Sequence, residues 1–292
     1  MSASGGRQGP EPVEDRLTAE VLARLGDAGT PRVRQLSEAL VRHLHAFVRE
    51  VEPTMDEWAA AIDFLTRTGQ MCTDRRQEFI LLSDVLGVSM LVDAINHRRP
   101  GTATENTVLG PFYVDDPEER PLGADLADGA EGVPMLVEGT VSDVDGAAVA
   151  GAVVDTWQAD AGGYYDVQLG EEHRLRARLR TGQDGRFSFW SLVPCSYPIP
   201  EDGPVGEMLR AQGRHPYRPA HVHFMISAPG FDKLVTHVFV AGDPYLSSDA
   251  VFGVKESLIR ELDRFPAGSA SDGREVASDW ARLRYDFVLV RA

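Results

Sequence analysis

Cysteine is nearly missing from this chain: 292 residues carry two, Cys72 and Cys195, far apart and in no CxxC arrangement. Such a pair supports neither a disulfide framework nor a thiolate zinc site, and the expected setting is reducing and cytoplasmic. No apolar run has the length of a membrane helix. The opening residues, MSASGGRQGPEPVED, lack the basic and apolar regions of a signal peptide. Their Gly, Pro and Ser content predicts a flexible tail over residues 1–14. Positive charge is also scarce. Acidic residues outnumber basic ones 45 to 29, for a formal charge of −16. A field of that sign repels nucleic acid and anionic membranes, and no basic cluster offsets it, so neither is an expected partner. Internal repeats are absent. The remaining 43% of hydrophobic residues and a mass of 31.9 kDa are enough for one large domain or two modest ones with ample core.

What is present falls into two textures. In PRVRQLSEALVRHLHAFVREV, residues Val33, Leu36, Leu40, Leu44, Phe47 and Val51 recur at steps of three and four, one apolar helical stripe. Thr30 before Pro31 supplies an N-cap with proline at the first helical position. A second helix opens with Thr54 and Glu57 as a capping box and carries Trp58, Ile62 and Leu65 on one face. RQEFILLSDVLGVSMLVDAINH reads as a third helix, apolar nearly all round and therefore buried on more than one side, with Ser83 and Asp84 as polar exceptions. Asp84 on its own reads as facing solvent or a backbone amide; buried, its carboxylate would need a partner.

From residue 101 to 132 glycine, proline and acid dominate without period, as in a long ordered loop. Short alternating segments follow: MLVEGTVSD, GAVVDTWQAD, GRFSFWSLV, HVHFMISA, KLVTHVFV and RYDFVLVR. They are rich in β-branched and aromatic residues and predict a β-sandwich, interrupted by one late helix at VKESLIREL. The expected fold is thus mostly β with an α-helical N-terminal region: helices over residues 15–105 and a β-sandwich over residues 106–292.

Histidine placement carries the chemistry. His221 and His223 are spaced i, i+2 in an expected strand, so both imidazoles project from one face. His43 and His45 have the same spacing in an expected helix, where that step rotates the side chain by roughly 200°, so they cannot converge. Two imidazoles are half a metal site. Tyr164, Tyr165 and Tyr197, each near glycine or proline, are the other plausible donors. Phenolate is a hard anionic oxygen, so two phenolates with two imidazoles suit Fe(III) better than Zn(II).

The motifs WQADAGGYYD, SYPIPEDGPVG and HPYRPAHVHF, in this order, resemble the iron-binding motifs of the intradiol ring-cleavage dioxygenases. The resemblance extends to the helical third and to VLGPFYVDD, nearly the whole chain beyond residue 15. It implies one non-haem Fe(III) ion per subunit, held by Tyr165, Tyr197, His221 and His223. In the family motif the ligand tyrosine follows the tryptophan by eight residues, which from Trp157 selects Tyr165. The implied reaction joins dioxygen to a catechol bound through both oxygens and yields a muconate-type diacid. The same resemblance casts Tyr197 as the ligand that leaves and takes up a substrate proton, and Arg218 as the stabiliser of developing negative charge.

Within that family, GYYDVQ and LLSDVLGVSMLVD resemble the branch acting on hydroxyquinol (benzene-1,2,4-triol), with 3-hydroxymuconate and maleylacetate as products. By analogy the pocket is lined by Leu81, Asp84, Val108, Leu109, Gly110, Pro111, Phe112, Ile199, Pro200, Arg218 and Val251, with Asp84 accepting from the third hydroxyl. A catechol or chlorocatechol 1,2-dioxygenase is the alternative. A cupin is disfavoured because HVHFMISAPG lacks the following glutamate, and a metal-free binding sandwich is the more distant option. The resemblance and the surplus apolar helices imply a homodimer formed through the N-terminal helices, with phospholipid at its interface. His237, on a later strand, is expected to support the ligands from behind.

Overall fold

Alternating side chains in the later two-thirds of the chain build two facing sheets in the computed structural model, which describes residues 13–26, 29–73, 76–170 and 174–292. The tail expected over 1–14 lies, up to residue 12, outside the described residues. The chain divides into two compact units, one ending at Thr66 and the other spanning Arg67–Ala292.

Helices α1 (Val13–Ala23) and α2 (Pro31–Val51) and most of α3 (Met55–Gln70) make up the first unit. The Thr30 hydroxyl accepts from the Val33 amide at 3.3 Å, and Thr54 and Glu57 form the reciprocal capping box, at 2.7 and 3.2 Å. The stripe from Val33 to Val51 is exposed along its length, as are Trp58, Ile62 and Leu65. On α2, His45 bonds to Thr18 of α1 at 2.9 Å, so its ring is occupied locally.

In the second unit the expected third helix is two: α4 (Glu78–Val85) and α5 (Val88–Asn96). Gly87, in the left-handed region at φ 72°, ends the first and starts the second. Only Glu78, Leu81, Asp84 and Val85 of α4 and Met90 and Asp93 of α5 are buried, so burial on more than one side is not observed. The apolar residues that exceed one face, among them Phe79, Ile80, Leu91 and Ile95, stand at the surface.

The strands are β1 (Pro134–Asp143), β2 (Val153–Trp157), β3 (Arg176–Arg180), β4 (Arg186–Leu192), β5 (Tyr197–Pro198), β6 (Tyr217–Arg218) and β7 (His221–Ser227). After them come β8 (Leu234–Val240), β9 (Ile259–Arg260), β10 (Asp263–Phe265), β11 (Gly268–Ser269), β12 (Glu275–Val276), β13 (Trp280–Arg284) and β14 (Phe287–Leu289). Two short helices, α6 (Asp166–Leu169) and α7 (Pro204–Ala211), sit in the connections. One sheet is centred on β1, which pairs antiparallel with β4 and parallel with β13 and then β14, while β10 extends β13. The other has the order β3-β2-β7-β8-β9. The core fills the space between them, with Met135, Val137, Phe187, Phe189 and Phe287 from one side and Val154, Leu179, Val222, Phe224 and Ile226 from the other. No described helix is long and apolar enough to cross a membrane.

The expected helix at VKESLIREL is a single 3-10 turn, Glu256–Leu258, followed by β9 and β10. Backbone pairing of Ile259 and Arg260 with β8 overrides the local helical preference. Strand β3 escapes sequence inspection because its outward positions are arginines, while Ala177 and Leu179 alone face the core. Phe224 has no solvent exposure and touches Phe187, Phe189 and Phe287 with ring centroids 6.2, 6.4 and 4.8 Å away. Phe224→Ala is expected to cost about 3–5 kcal/mol, read as a lowered denaturant midpoint at unchanged slope.

Candidate metal centre

Because Val222, Phe224 and Ile226 point into the core, His221 and His223 of β7 point to the opposite face of the same sheet. Cross-strand register then fixes their neighbours. Trp157 of β2 and His237 of β8 lie opposite His223, and Arg176 of β3 lies opposite Trp157. A row Arg176–Trp157–His223–His237 therefore crosses four strands. Trp157 stacks on His223 at 4.6 Å and 14° between planes, which holds the imidazole plane.

Two connections bring the phenols over this row. Tyr165 immediately precedes α6; its amide donates to the Gln168 side chain at 2.9 Å, and Asp166 forms a fully buried ion pair with Arg176. Tyr197 starts β5 and is paired directly opposite Arg218 of β6. The two connections meet at Gly163, whose φ is +86° and where a Cβ would lie 2.7 Å from the Cβ of Tyr197. A side chain there would meet the Tyr197 Cβ and force one of the two connections to shift. Tyr164, the alternative donor, is exposed, while Tyr165 is fully buried.

Four donor atoms converge. The Tyr165 and Tyr197 hydroxyls are 2.9 Å apart, and Tyr165 Oη lies 2.8 Å from His223 Nε2. His221 Nε2 lies 3.1 Å from His223 Nε2 and 3.5 Å from Tyr197 Oη. His221 Nδ1–H donates to the Pro219 carbonyl at 2.7 Å, leaving the Nε2 lone pair facing the cluster. Burial pushes the Tyr165 phenol well above its usual range and raises that of Tyr197, where Arg218 works in the opposite direction. Burial likewise holds both imidazoles well below their ordinary value, so burial opposes charge on all four donors. Two buried phenols, whose ionised form a cation would favour, with two imidazoles are a donor set that fits a hard trivalent cation.

Arg218 is buried, and its Nη1 donates to His221 Nε2 at 3.3 Å. Asp249, also buried, receives Arg218 Nε at 3.1 Å and Nη2 at 3.4 Å, together with the amides of Val251 and Gly253. The guanidinium is thereby clamped with one edge toward the imidazole.

The residues expected around a substrate separate into three groups. Asp84, Val108, Leu109, Gly110 and Pro111 line a cavity of about 600 Å³. Phe112 stacks on Tyr165 at 4.4 Å. Leu81, Ile199 and Val251 belong to one buried apolar cluster, and Pro200, half-buried, directly follows Ile199. Gly110 (φ +78°) leaves only 3.1 Å between a would-be Cβ and His223 Cε1, so the cavity-lining loop rests on the imidazole. Asp84 is buried rather than facing solvent; burial raises its carboxyl above the usual range, and the Ser89 hydroxyl and the Arg218 charge oppose that.

Sequence inspection passes over Asp249, the Asp166–Arg176 pair and Thr107, whose hydroxyl bonds to His237 Nδ1. Each is an ordinary polar residue locally, and only its tertiary partner distinguishes it. His237 is fully buried, with its ring centroid 4.2 Å from that of His223 and 4.8 Å from that of His221.

Comparison with known proteins places the chain among relatives. Residues 108–291 match the family described as Dioxygenase, and residues 30–104 match that described as Catechol dioxygenase N terminus. The chain is 56% identical to a 6-chlorohydroxyquinol 1,2-dioxygenase of Cupriavidus pinatubonensis, over 94% of this chain and 97% of that one. It is 51% identical to a hydroxyquinol 1,2-dioxygenase of a Rhizobium species, over 96% of each. The crystal structure of hydroxyquinol 1,2-dioxygenase from Pseudomonas putida superposes with a TM-score of 0.90 at 50% identity, covering 96% of this chain and 99% of that one. Joined helical and sandwich regions, two tyrosines and two histidines at one point, and near full-length relatives at half identity or better place this chain in the intradiol ring-cleavage dioxygenase family.

Proposed function

We propose that the protein cleaves hydroxyquinol between its adjacent hydroxyl-bearing carbons, adding both atoms of dioxygen to give 3-hydroxy-cis,cis-muconate, the tautomer of maleylacetate. The observation that carries this reading is the convergence of four donor atoms beside a cavity with a buried carboxyl in its wall. Tyr165, Tyr197, His221 and His223 would hold one Fe(III) ion, which would supply Lewis acidity toward the hydroxylated ring.

The protein's own groups do the rest. Tyr197 Oη, as phenolate, accepts a proton from a substrate hydroxyl, and Arg218 across the β5–β6 ladder steadies the charge before and after that transfer. Arg218 Nη1, held by Asp249, presents a fixed donor where negative charge grows on the ring and its oxygen substituents. Phe112 and Gly110 shape the wall beside Tyr165 and His223. Asp84 pairs with the third hydroxyl, which separates the triol from catechol or chlorocatechol. A site built around that bond leaves its own buried polar group unpaired when the hydroxyl is missing.

The test is the visible spectrum of purified protein before and after anaerobic addition of hydroxyquinol, followed by turnover of hydroxyquinol and catechol. A broad phenolate-to-iron band that moves to longer wavelength, and a turnover ratio favouring the triol, are expected. Protein that stays colourless after iron loading would refute the ligand set; a ratio favouring catechol would assign the catechol reading. Asp84→Ala is expected to shrink the kcat/KM preference for the triol by about tenfold or more, and an unchanged ratio would remove Asp84 from this role.

We also infer a homodimer built through the exposed stripes of α2 and α3, since apolar faces of that extent are seldom left to water. Residues 15–105 would then serve dimerisation and residues 106–292 catalysis, with an acyl chain of phospholipid as an occupant of the helical interface. Sedimentation at micromolar concentration, with lipid extraction and mass spectrometry of the purified protein, tests both. The reducing, cytoplasmic setting rests on the two free cysteines.

A further inference from the structure

His237 brings a third imidazole to the cluster that the iron reading does not use. We propose that His221, His223 and His237 form a second donor set, overlapping the first, that takes a borderline divalent cation such as zinc(II) or cobalt(II) in the iron-free protein. A ring nitrogen from each of the three lies within 4.8 Å of the others, and all three residues are buried. The His221 and His223 Nε2 atoms are already 3.1 Å apart. Donors at about 2.0–2.1 Å around a tetrahedral zinc are separated by roughly 3.3 Å, so the third imidazole closes the set by moving in by up to about 1.5 Å.

The hydrogen bonding of His237 points the same way. Its Nδ1 is taken by Thr107, whereas its Nε2 has no hydrogen-bond partner among the described residues although the ring has no solvent exposure. A buried polar nitrogen without a partner is costly, and a cation at its lone pair removes the cost. The antiparallel register of β7 and β8, which pairs His223 with His237, holds the two rings on one face before any cation arrives. Arg218, whose Nη1 reaches His221, disfavours positive charge at the three imidazoles, and its ion pair with Asp249 offsets part of that repulsion.

Donor chemistry then sorts the cations. Three neutral imidazoles suit zinc(II), cobalt(II) or copper(II), whereas two phenolates with two imidazoles suit Fe(III). Since His221 and His223 belong to both sets, the two cations exclude one another. A divalent ion held this way blocks iron loading without displacing a tyrosine.

The experiment titrates iron-free protein with cobalt(II), followed by its visible d–d absorption and by equilibrium dialysis. One equivalent with the intense absorption of a tetrahedral site is expected. Tyr165→Phe should leave the cobalt affinity within about threefold, and His237→Gln should weaken it by about 100-fold while still developing the phenolate-to-iron band with Fe(III). Equal cobalt affinity in parent and His237→Gln protein overturns the proposal, as does a loss in Tyr165→Phe as large as that in His237→Gln. X-ray absorption of zinc-loaded parent protein decides independently of whether either variant folds. Three imidazoles per zinc support the set, and two imidazoles with phenolate oxygen overturn it. Failure of the iron reading would appear separately, as parent protein that binds cobalt but never develops the iron band.

Discussion

Tyr165→Phe is expected to abolish stable iron binding or most of the visible band, with turnover falling by about 10³-fold or more. The reason lies in what the substitution spares. The ring is held by a 4.4 Å stack with Phe112 and an edge contact with Tyr197, both of which phenylalanine retains. Only the oxygen is lost. In iron-free protein that loss removes a partner from His223 Nε2 and from Tyr197 Oη, at about 1–3 kcal/mol for buried groups left unpaired. The thermal midpoint should therefore move modestly while metal content collapses. A variant that keeps stoichiometric iron and an unchanged band would show that Tyr165 is no ligand.

Arg218→Ala is expected to leave iron and colour in place while turnover drops by about 10²–10³-fold, the usual effect of removing one preorganised donor from a developing charge. Two effects overlap and must be separated. The first is loss of the Nη1 donor 3.3 Å from His221. The second is the stranding of the buried Asp249 carboxylate, for which removing one partner of a buried pair costs about 3–5 kcal/mol. The Val251 and Gly253 amides still bond Asp249, which favours the lower end of that range. Arg218→Lys keeps the charge but cannot bond Asp249 through a two-nitrogen edge and reach His221 at once, so it should recover stability more than turnover. Normal turnover in the alanine variant would exclude Arg218 from the chemistry.

The two substitutions read different parts of one assembly. Tyr165 reports on whether the four donors act together, and Arg218 on whether the clamp by Asp249 matters to the reaction. If both losses occur with the expected division between metal content and turnover, the cavity beside them becomes the natural place to alter ring preference, beginning with Asp84.

Local pattern alone determined a good deal of this protein. Helix caps at Thr30 and Thr54 formed as their spacing requires, because capping involves atoms within four residues of each other. Strand parity placed His221 and His223 on one face, because successive side chains alternate in any extended segment. The motif resemblance singled out Tyr165 over Tyr164 as a ligand; in the fold Tyr165 is buried and Tyr164 exposed. What failed was also local in origin. The segment VKESLIREL has helical composition, yet pairing of Ile259 and Arg260 with β8 outweighs it. The apolar run from Phe79 to Ile95 is broken at Gly87 and leaves much of its surface exposed.

Tertiary structure decided the rest, and register is the reason. Trp157, His223 and His237 meet because β2, β7 and β8 pair at one particular offset, and a slip of one residue would turn each side chain to the other face. Asp249 acquires its role only when the loop that carries it folds back on β6, and Asp84 becomes a cavity wall only when α4 packs near Arg218. These contacts join residues tens to more than a hundred positions apart. No short stretch of sequence encodes them, because their partners are set by the packing of the whole sandwich.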